Sequence, residues 1–464
     1  MNRYNFNKPD SRQWKEIQIE YLEDSVTVKV PPTCDILSMK SIPPLKNTRE
    51  EIESAFDYPI DSQTIEEIVT SQSKSADVLT VSIAVSDNTR PVPYNCDQEN
   101  NILDPILQRL EKAGILKENI KIIIGCGTHV ETNQAWKKKA FGRRVLENYN
   151  LIDHSCYAED LVSIGDVMGV PVKINRSFIT ADIHIVTGLV ETHFMAGASG
   201  GRKAVCPGMV NIGATQVFHG PEFMANPKAE SLNLDCNPCH EFALEVAKRT
   251  RVDYNVNVLM NGEHEICGIY TGHLETSHQK AVEQLRHFSV VNLNQPYDIV
   301  LTHGGKGAVN HYQSIKGAWG ALPAVKKEGM ILLLAHNQDS EPIGSSHYKD
   351  LMARFMAGKL GDFKKLIQKP DWSFVHDQWE LQKWEQFFER MGGFEYLIYC
   401  TVNIPEDKLA HLPGISGYHF AGQNKKDITA MIQNAIYFAY SKKKNPSMAF
   451  IKQGPYVVIE NPNQ

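Results

Sequence analysis

Residues 78–125 read VLTVSIAVSDNTRPVPYNCDQENNILDPILQRLEKAGILKENIKIIIG. The first nine, Val78–Ser86, form a short, mostly apolar, β-branched run whose polar members are the small Thr80, Ser82 and Ser86. Such a run is what a strand buried on both faces looks like. A polar loop stiffened by Pro91 and Pro93 follows, and then Asn101–Ala113 carries Ile102, Ile106 and Leu110 at helical spacing on one face. Lys121–Gly125 (KIIIG) is a second buried-strand run. Strand, helix and strand in that order predict a crossover between parallel strands, because parallel neighbours cannot be joined by a tight turn.

The same alternation continues outward. Asp182–Gly188 (DIHIVTG), Asp298–His303 (DIVLTH), Met330–Ala335 and Glu395–Cys400 (EYLIYC) read as further strands. Segments 312–327 and 427–439 read as helices. The expected class is α/β, with two Rossmann-like domains, since 464 residues exceed what one ordinary core organises. The turn-rich segment Asn292–Tyr297 (NLNQPY) marks the predicted boundary, giving domains of 1–290 and 295–440. The last stretch, 445–464, is read as able to rejoin the first domain.

Composition narrows the function classes. Apolar residues make up 42% and charged residues 22%, as in an ordinary globular protein. The net charge of -6 argues against nucleic-acid or anionic-membrane partners, which would want a basic surface. The polar start, MNRYNFNKPDSRQWKEIQIEYLEDS, has no apolar secretory core. No run approaches the roughly 20 apolar residues that span a bilayer. The expected location is the cytoplasm. Nine cysteines are too few for a disulfide scaffold in this length, and Cys236 and Cys239 lack the second ligand pair that a zinc site needs.

Ligands in open α/β sheets bind beyond the carboxyl ends of the strands. After the first strand stand Asp87, Thr89 and Arg90, able to orient a phosphate or carboxylate, or simply to cap a turn. After the second comes Gly125-Cys126-Gly127-Thr128-His129; a lone histidine there is more often structural than catalytic. After the third comes the densest segment, GLVETHFMAGASGGRKAVCPG from Gly188 to Gly208. Gly197, Gly200 and Gly201 before Arg202 and Lys203 suggest an anion nest flanked by two cations. The segment is neither a P-loop nor a dinucleotide fingerprint. His219 follows sixteen residues after Lys203. Tyr312 and Lys316 lie one helical turn apart, with Gln313 between them, and share a face.

The DNTRPVP loop, the GTH strand tip, the THxxxGxSGGRK segment, the later histidine and the YQxxK helix occur here in one order, which resembles that of the nickel-pincer lactate racemase family. The matches run from about Asp87 to Trp379. The resemblance implies that Lys203 holds a pyridinium-3-thioamide-5-thiocarboxylic acid mononucleotide through a thioamide, and that His219 completes the Ni(II) ligands. It implies His129 and His193 as the acid–base pair. Asp87, Thr89, Arg90, Gly200, Gly201 and Arg202 would then hold the cofactor, and Arg90, Tyr312, Gln313, Lys316 and Trp379 the substrate. The implied reaction racemises or epimerises a 2-hydroxy acid by moving a hydride through a 2-keto acid. Two bases suit two stereochemical outcomes, and histidine titrates near neutrality.

Candidate residues fall in both expected domains, so the expected active site is an interdomain cleft, whose closure would exclude water. Proteins that synthesise the cofactor are the implied partners. The alternatives are a cofactor-free hydroxy-acid or nucleotide sensor, a zinc hydrolase on His129, His193 and His219, and an NAD-dependent dehydrogenase. Lys203 has no role in the first two, and the dehydrogenase lacks its fingerprint.

Overall fold

The computed structural model describes residues 4–461 and divides the chain into two compact units. One is Ser41–Phe288. The other combines the segment up to Lys40 with the segment from Ser289 onward.

The 41–288 unit is built on a six-stranded sheet. Its order is Ile266–Gly272, Tyr254–Met260, Ile183–Leu189, Val81–Val85, Ile120–Ile124 and Asn150–Asp153. All neighbours are parallel except the edge pair of 254–260 with 266–272. Register pairs Val81 with Ile120 on one side and with Ile183 on the other. Every residue of Val81–Val85 and of Ile183–Leu189 is buried, Ser82, His184 and Thr187 included, as in a sheet covered on both faces. Ile83, Ile122, Ile185 and Val256 from the strands, Ile106 and Leu110 from the helix Leu103–Lys112, and Phe141 from the helix Gln134–Asn148 share one core.

The second unit has a six-stranded, wholly parallel sheet in the order Ile415–Ser416, Leu397–Cys400, Val325–Leu334, Tyr297–His303, Met448–Ile451 and Asp35–Leu37. An antiparallel hairpin, Lys15–Tyr21 with Asp24–Val30, places Ile19, Val26, Val28 and Val30 in the core with Met431, Ile432 and Ile436 of the helix Ile428–Ser441.

These units differ from the predicted domains at both ends of the chain. Residues 1–40 belong with the C-terminal sheet, because Asp35–Leu37 pairs with Met448–Ile451. The 445–464 stretch likewise stays in that unit rather than rejoining the first: Met448–Ile451 sits between Tyr297–His303 and Asp35–Leu37. The helix expected over 312–327 ends at Ala321, because Leu322–Ala324, with Pro323, forms a tight turn and the next strand starts at Val325. Among the described residues no helix is long and apolar enough to cross a membrane.

Each of the four hairpin side chains contributes about 1.5–3 kcal/mol by burial, together comparable to a domain's net stability of about 5–15 kcal/mol. A chain lacking residues 1–40 is therefore expected to leave residues 289–461 unprotected in peptide-resolved hydrogen exchange, while the 41–288 unit stays protected. Native-like protection across 289–461 in that truncated chain would contradict this construction of the second unit.

Candidate active site

The candidate residues of the 41–288 unit follow the carboxyl ends of three adjacent strands. After Val81–Val85, Asp87 is 4% exposed and both its oxygens are engaged. Oδ1 accepts from the Thr89 hydroxyl at 2.6 Å and the Thr89 amide at 3.1 Å. Oδ2 lies 2.6 Å from His129 Nδ1. Burial opposes the charge on Asp87, but the His129 and Thr89 contacts outweigh it and hold the carboxyl below its ordinary value of 3.8. His129 itself is exposed at the tip beyond Ile120–Ile124, where its amide bonds the Cys126 carbonyl at 2.8 Å. Gly127, with φ of 57°, makes that tight turn and donates to the Gly208 carbonyl at 3.1 Å. A histidine fixed through Nδ1 by a buried carboxylate presents Nε2 outward, the arrangement of a base with its orienting group.

Beyond Ile183–Leu189 the chain turns through Thr192–His193 and Gly197–Ala198, a two-residue antiparallel pair, into a short helical turn Gly201–Ala204. His193 Nδ1 accepts the amides of Ala196 at 3.2 Å and Met195 at 3.4 Å. In the neutral ring the proton therefore sits on Nε2, which lies 3.1 Å from Lys203 Nζ. For Nε2–H to donate, the lysine amine must accept, so it must be unprotonated. Burial, followed by the charges of Arg90 and Arg202, holds the Lys203 pKa well below the lysine range, in agreement with that geometry. Lys203 Nζ also lies 5.1 Å from the Phe218 ring centre, and Phe218 meets His219 edge-on at 4.9 Å. His219 ends the helix Ile212–Phe218, and its Nδ1 donates to the Thr215 carbonyl at 3.0 Å, leaving Nε2 as the lone-pair nitrogen.

The glycine loop differs from the expected anion nest. Arg202 is 1% exposed, and its guanidinium donates to the carbonyl oxygens of Ala196 at 2.7 Å and Gly200 at 3.4 Å and contacts His278 Nε2 at 2.9 Å. Burial pushes its pKa down to about 9. The Gly201 amide is taken by Asn257 Oδ1 at 3.0 Å, and the Lys203 amide by the Gly200 carbonyl at 3.1 Å. A Cβ on Gly200, whose φ is 75°, would stand 2.6 Å from Asn257 Oδ1. Gly200, Gly201 and Arg202 thus build the turn that aims Lys203, with the Gly201 amide and the Arg202 Nη atoms bonded inside it and Arg202 Nε buried without a partner.

Arg90 makes an ion pair with Glu191, Nε to Oε2 at 3.3 Å. Glu191, Phe218 and Asn257 are site residues the sequence reading missed. Glu191 stands openly in GLVETH, two residues before His193, and its acidity was the available signal.

In the second unit, Tyr312, Gln313 and Lys316 lie on the helix His311–Ala321, and Lys316 Nζ donates to Gln313 Oε1 at 2.6 Å. Tyr312 meets Trp379 edge-on at 6.5 Å, and Trp379 stacks on Phe374. Beside them Glu380, 4% exposed, is pushed up to about 7 by burial, against which Lys316 pulls down.

His129, His193 and His219 engage Asp87, Lys203 and the Thr215 carbonyl respectively. No three His, Cys, Asp or Glu side chains gather as a metal site among the described residues. Cys239 is buried with Sγ 3.6 Å from the Phe218 carbonyl, and Cys236 is exposed; neither is in a disulfide.

The site thus joins a carboxylate–histidine pair to a second histidine beside a lysine on an α/β fold, groups suited to moving protons. Comparison with known proteins specifies it. The lactate racemase N-terminal domain family matches residues 21–231. The lactate racemase of Thermoanaerobacterium thermosaccharolyticum is 30% identical over 342 residues, which is 72% of this chain and 76% of that protein. The lactate racemase of Lactiplantibacillus plantarum is 27% identical over 371 residues, 78% of this chain and 82% of that protein. The structure of the lactate racemase apoprotein from T. thermosaccharolyticum matches with a TM-score of 0.82 at 25% identity, covering 96% of this chain and all of that one. A Thermotoga maritima protein at 18% identity shares the fold, with a TM-score of 0.63. The chain belongs to the lactate racemase family, and it is an isomerase of the racemase type.

The state of Lys203 can be read directly. In trace labelling with acetic anhydride, the Lys203 peptide is expected to reach its plateau rate at a lower pH than free N-acetyl-lysine labelled alongside. A coincident or higher-pH plateau would mean a protonated Lys203 amine.

Proposed function

We propose that this chain racemises or epimerises a 2-hydroxy acid, lactate or a larger hydroxy or sugar acid, using a nickel-pincer nucleotide attached to Lys203. The observation that carries the reading is Lys203 Nζ at 3.1 Å from His193 Nε2, in surroundings that lower the lysine's pKa. Only an unprotonated amine has the lone pair needed to form an amide-type bond. The donor set fits as well. His219 offers one imidazole nitrogen near Lys203, through Phe218, and no protein cluster supplies further metal ligands among the described residues. A metal here would take its other donors from the bound group, and soft sulfur with imidazole suits nickel(II).

When bound, that group supplies a hydride acceptor and donor; the residues of the chain supply the rest. Inversion of a 2-hydroxy acid requires its hydroxyl proton to leave and return while the carbon becomes planar. His129, held through Nδ1 by Asp87, takes and returns that proton at Nε2 for one enantiomer. His193, whose Nε2 faces the attachment lysine, serves the other. Arg90 holds the substrate carboxylate, a planar fork on a planar anion. Tyr312, Gln313, Lys316 and Trp379 are assigned to the substrate, with Lys316 a second cation for its carboxylate. Proteins that make the nucleotide are the required partners.

The test uses chain co-expressed with the cofactor-synthesis proteins and assayed on D- and L-lactate and a panel of larger 2-hydroxy acids. His129→Ala and His193→Ala should each lower racemisation by roughly 10²–10⁴-fold, the usual worth of a positioned acid–base group, while retaining the cofactor mass. His219→Ala should retain the mass and lose nickel. A histidine variant racemising at the wild-type rate would defeat the two-base scheme.

A further inference from the structure

We infer that Glu191 is a positioning residue for Arg90, fixing which edge of the guanidinium meets the substrate carboxylate; the inference rests on the racemase reading above. Arg90 has five N–H donors in a rigid plane, and two of its three nitrogens are engaged by the protein. Nε lies 3.3 Å from Glu191 Oε2 in an ion pair, and Nη1 donates to the Thr89 carbonyl at 2.9 Å. With Glu191 Oε2 standing on the Nε side, the edge left to an incoming anion is the end-on edge of Nη1 and Nη2. That edge accepts a carboxylate through two parallel hydrogen bonds. Without the Glu191 contact the guanidinium must be ordered by the substrate itself, which costs carboxylate binding.

The geometry makes Glu191 a constrained partner. Its amide donates to Ser199 Oγ at 2.8 Å, and its carbonyl accepts the Ser199 amide at 2.9 Å. Those bonds pin its backbone to the glycine loop that carries Lys203, and His193 follows two residues later. Arg90 stands three residues after Asp87, which holds His129. The Arg90–Glu191 pair therefore ties the loop of one base to the loop of the other. Both side chains are about a quarter to a third exposed, at 30% and 26%, so the pair adds little to stability and a substrate can reach the arginine.

The experiment combines kinetics on the loaded chain with chemical footprinting on the cofactor-free chain. With lactate as probe, Glu191→Ala should raise KM roughly tenfold and leave kcat within about threefold, the signature of weakened carboxylate binding. Glu191→Gln keeps an acceptor oxygen and should stay within about threefold of wild type in KM. In an Arg90→Ala background, Glu191→Ala should add nothing, because its effect passes through the arginine. In the cofactor-free chain, phenylglyoxal should modify Arg90 several-fold faster in Glu191→Ala than in wild type. An unchanged KM in Glu191→Ala, or losses that multiply in the double variant, would overturn the inference. If loaded wild-type chain fails on lactate, the proposed substrate falls, and equal Arg90 modification rates in the two chains would still overturn the role of Glu191 independently.

Discussion

The contact between His193 Nε2 and Lys203 Nζ is the constraint on which the functional reading depends. It needs a neutral ring with its proton on Nε2 and a neutral amine to receive it. The first condition is met by two backbone amides pointing at Nδ1. The second is met by burial and by two arginines of like charge. A lysine in water would hold its proton through the physiological range and would be a poor nucleophile. Here burial and like charge favour the neutral amine, which is the state the proposed cofactor attachment needs.

Much of the surrounding structure serves that contact. The tight turn at Gly200 and Gly201 sets where Lys203 emerges, and its positive φ values bar side chains that would strike Asn257 or His278. Arg202, wrapped by carbonyl groups and His278, closes the turn from within and adds its charge behind the lysine. The buried strand Ile183–Leu189 fixes the height of the loop relative to His129 and Asp87 on the neighbouring strand ends. The interior of a parallel sheet holds its strands in register far more rigidly than loops hold themselves, so it can deliver groups from three strand ends to one place.

The central strands were legible because their sequences are rich in β-branched apolar residues, with polar ones few, as burial on both faces of a parallel sheet requires. Tyr254–Met260 escaped notice for the converse reason. Its run YNVNVLM alternates asparagine with valine, yet Asn255 and Asn257 are fully buried. Asn257 is there to bond Gly201, and such a tertiary role leaves no periodic trace. The second unit's assembly from both chain ends was hidden because strand pairing between Asp35–Leu37 and Met448–Ile451 spans more than four hundred residues. In the site, the residues with distinctive chemistry were visible: His129, His193, Lys203 and His219. What Arg202 does was not, since an arginine beside a glycine loop looks the same whether it faces a ligand or its own backbone. Glu191 was passed over because an acid inside a cationic segment has no motif to mark it.

The most direct measurement is peptide-resolved mass spectrometry, with nickel analysis, on wild-type chain produced together with the cofactor-synthesis proteins. The account predicts a single mass increment confined to the peptide bearing Lys203, with about one nickel per chain, since one attachment lysine and one histidine ligand serve one group. An increment on any other residue, or none where a lactate racemase produced in parallel is loaded, would contradict it.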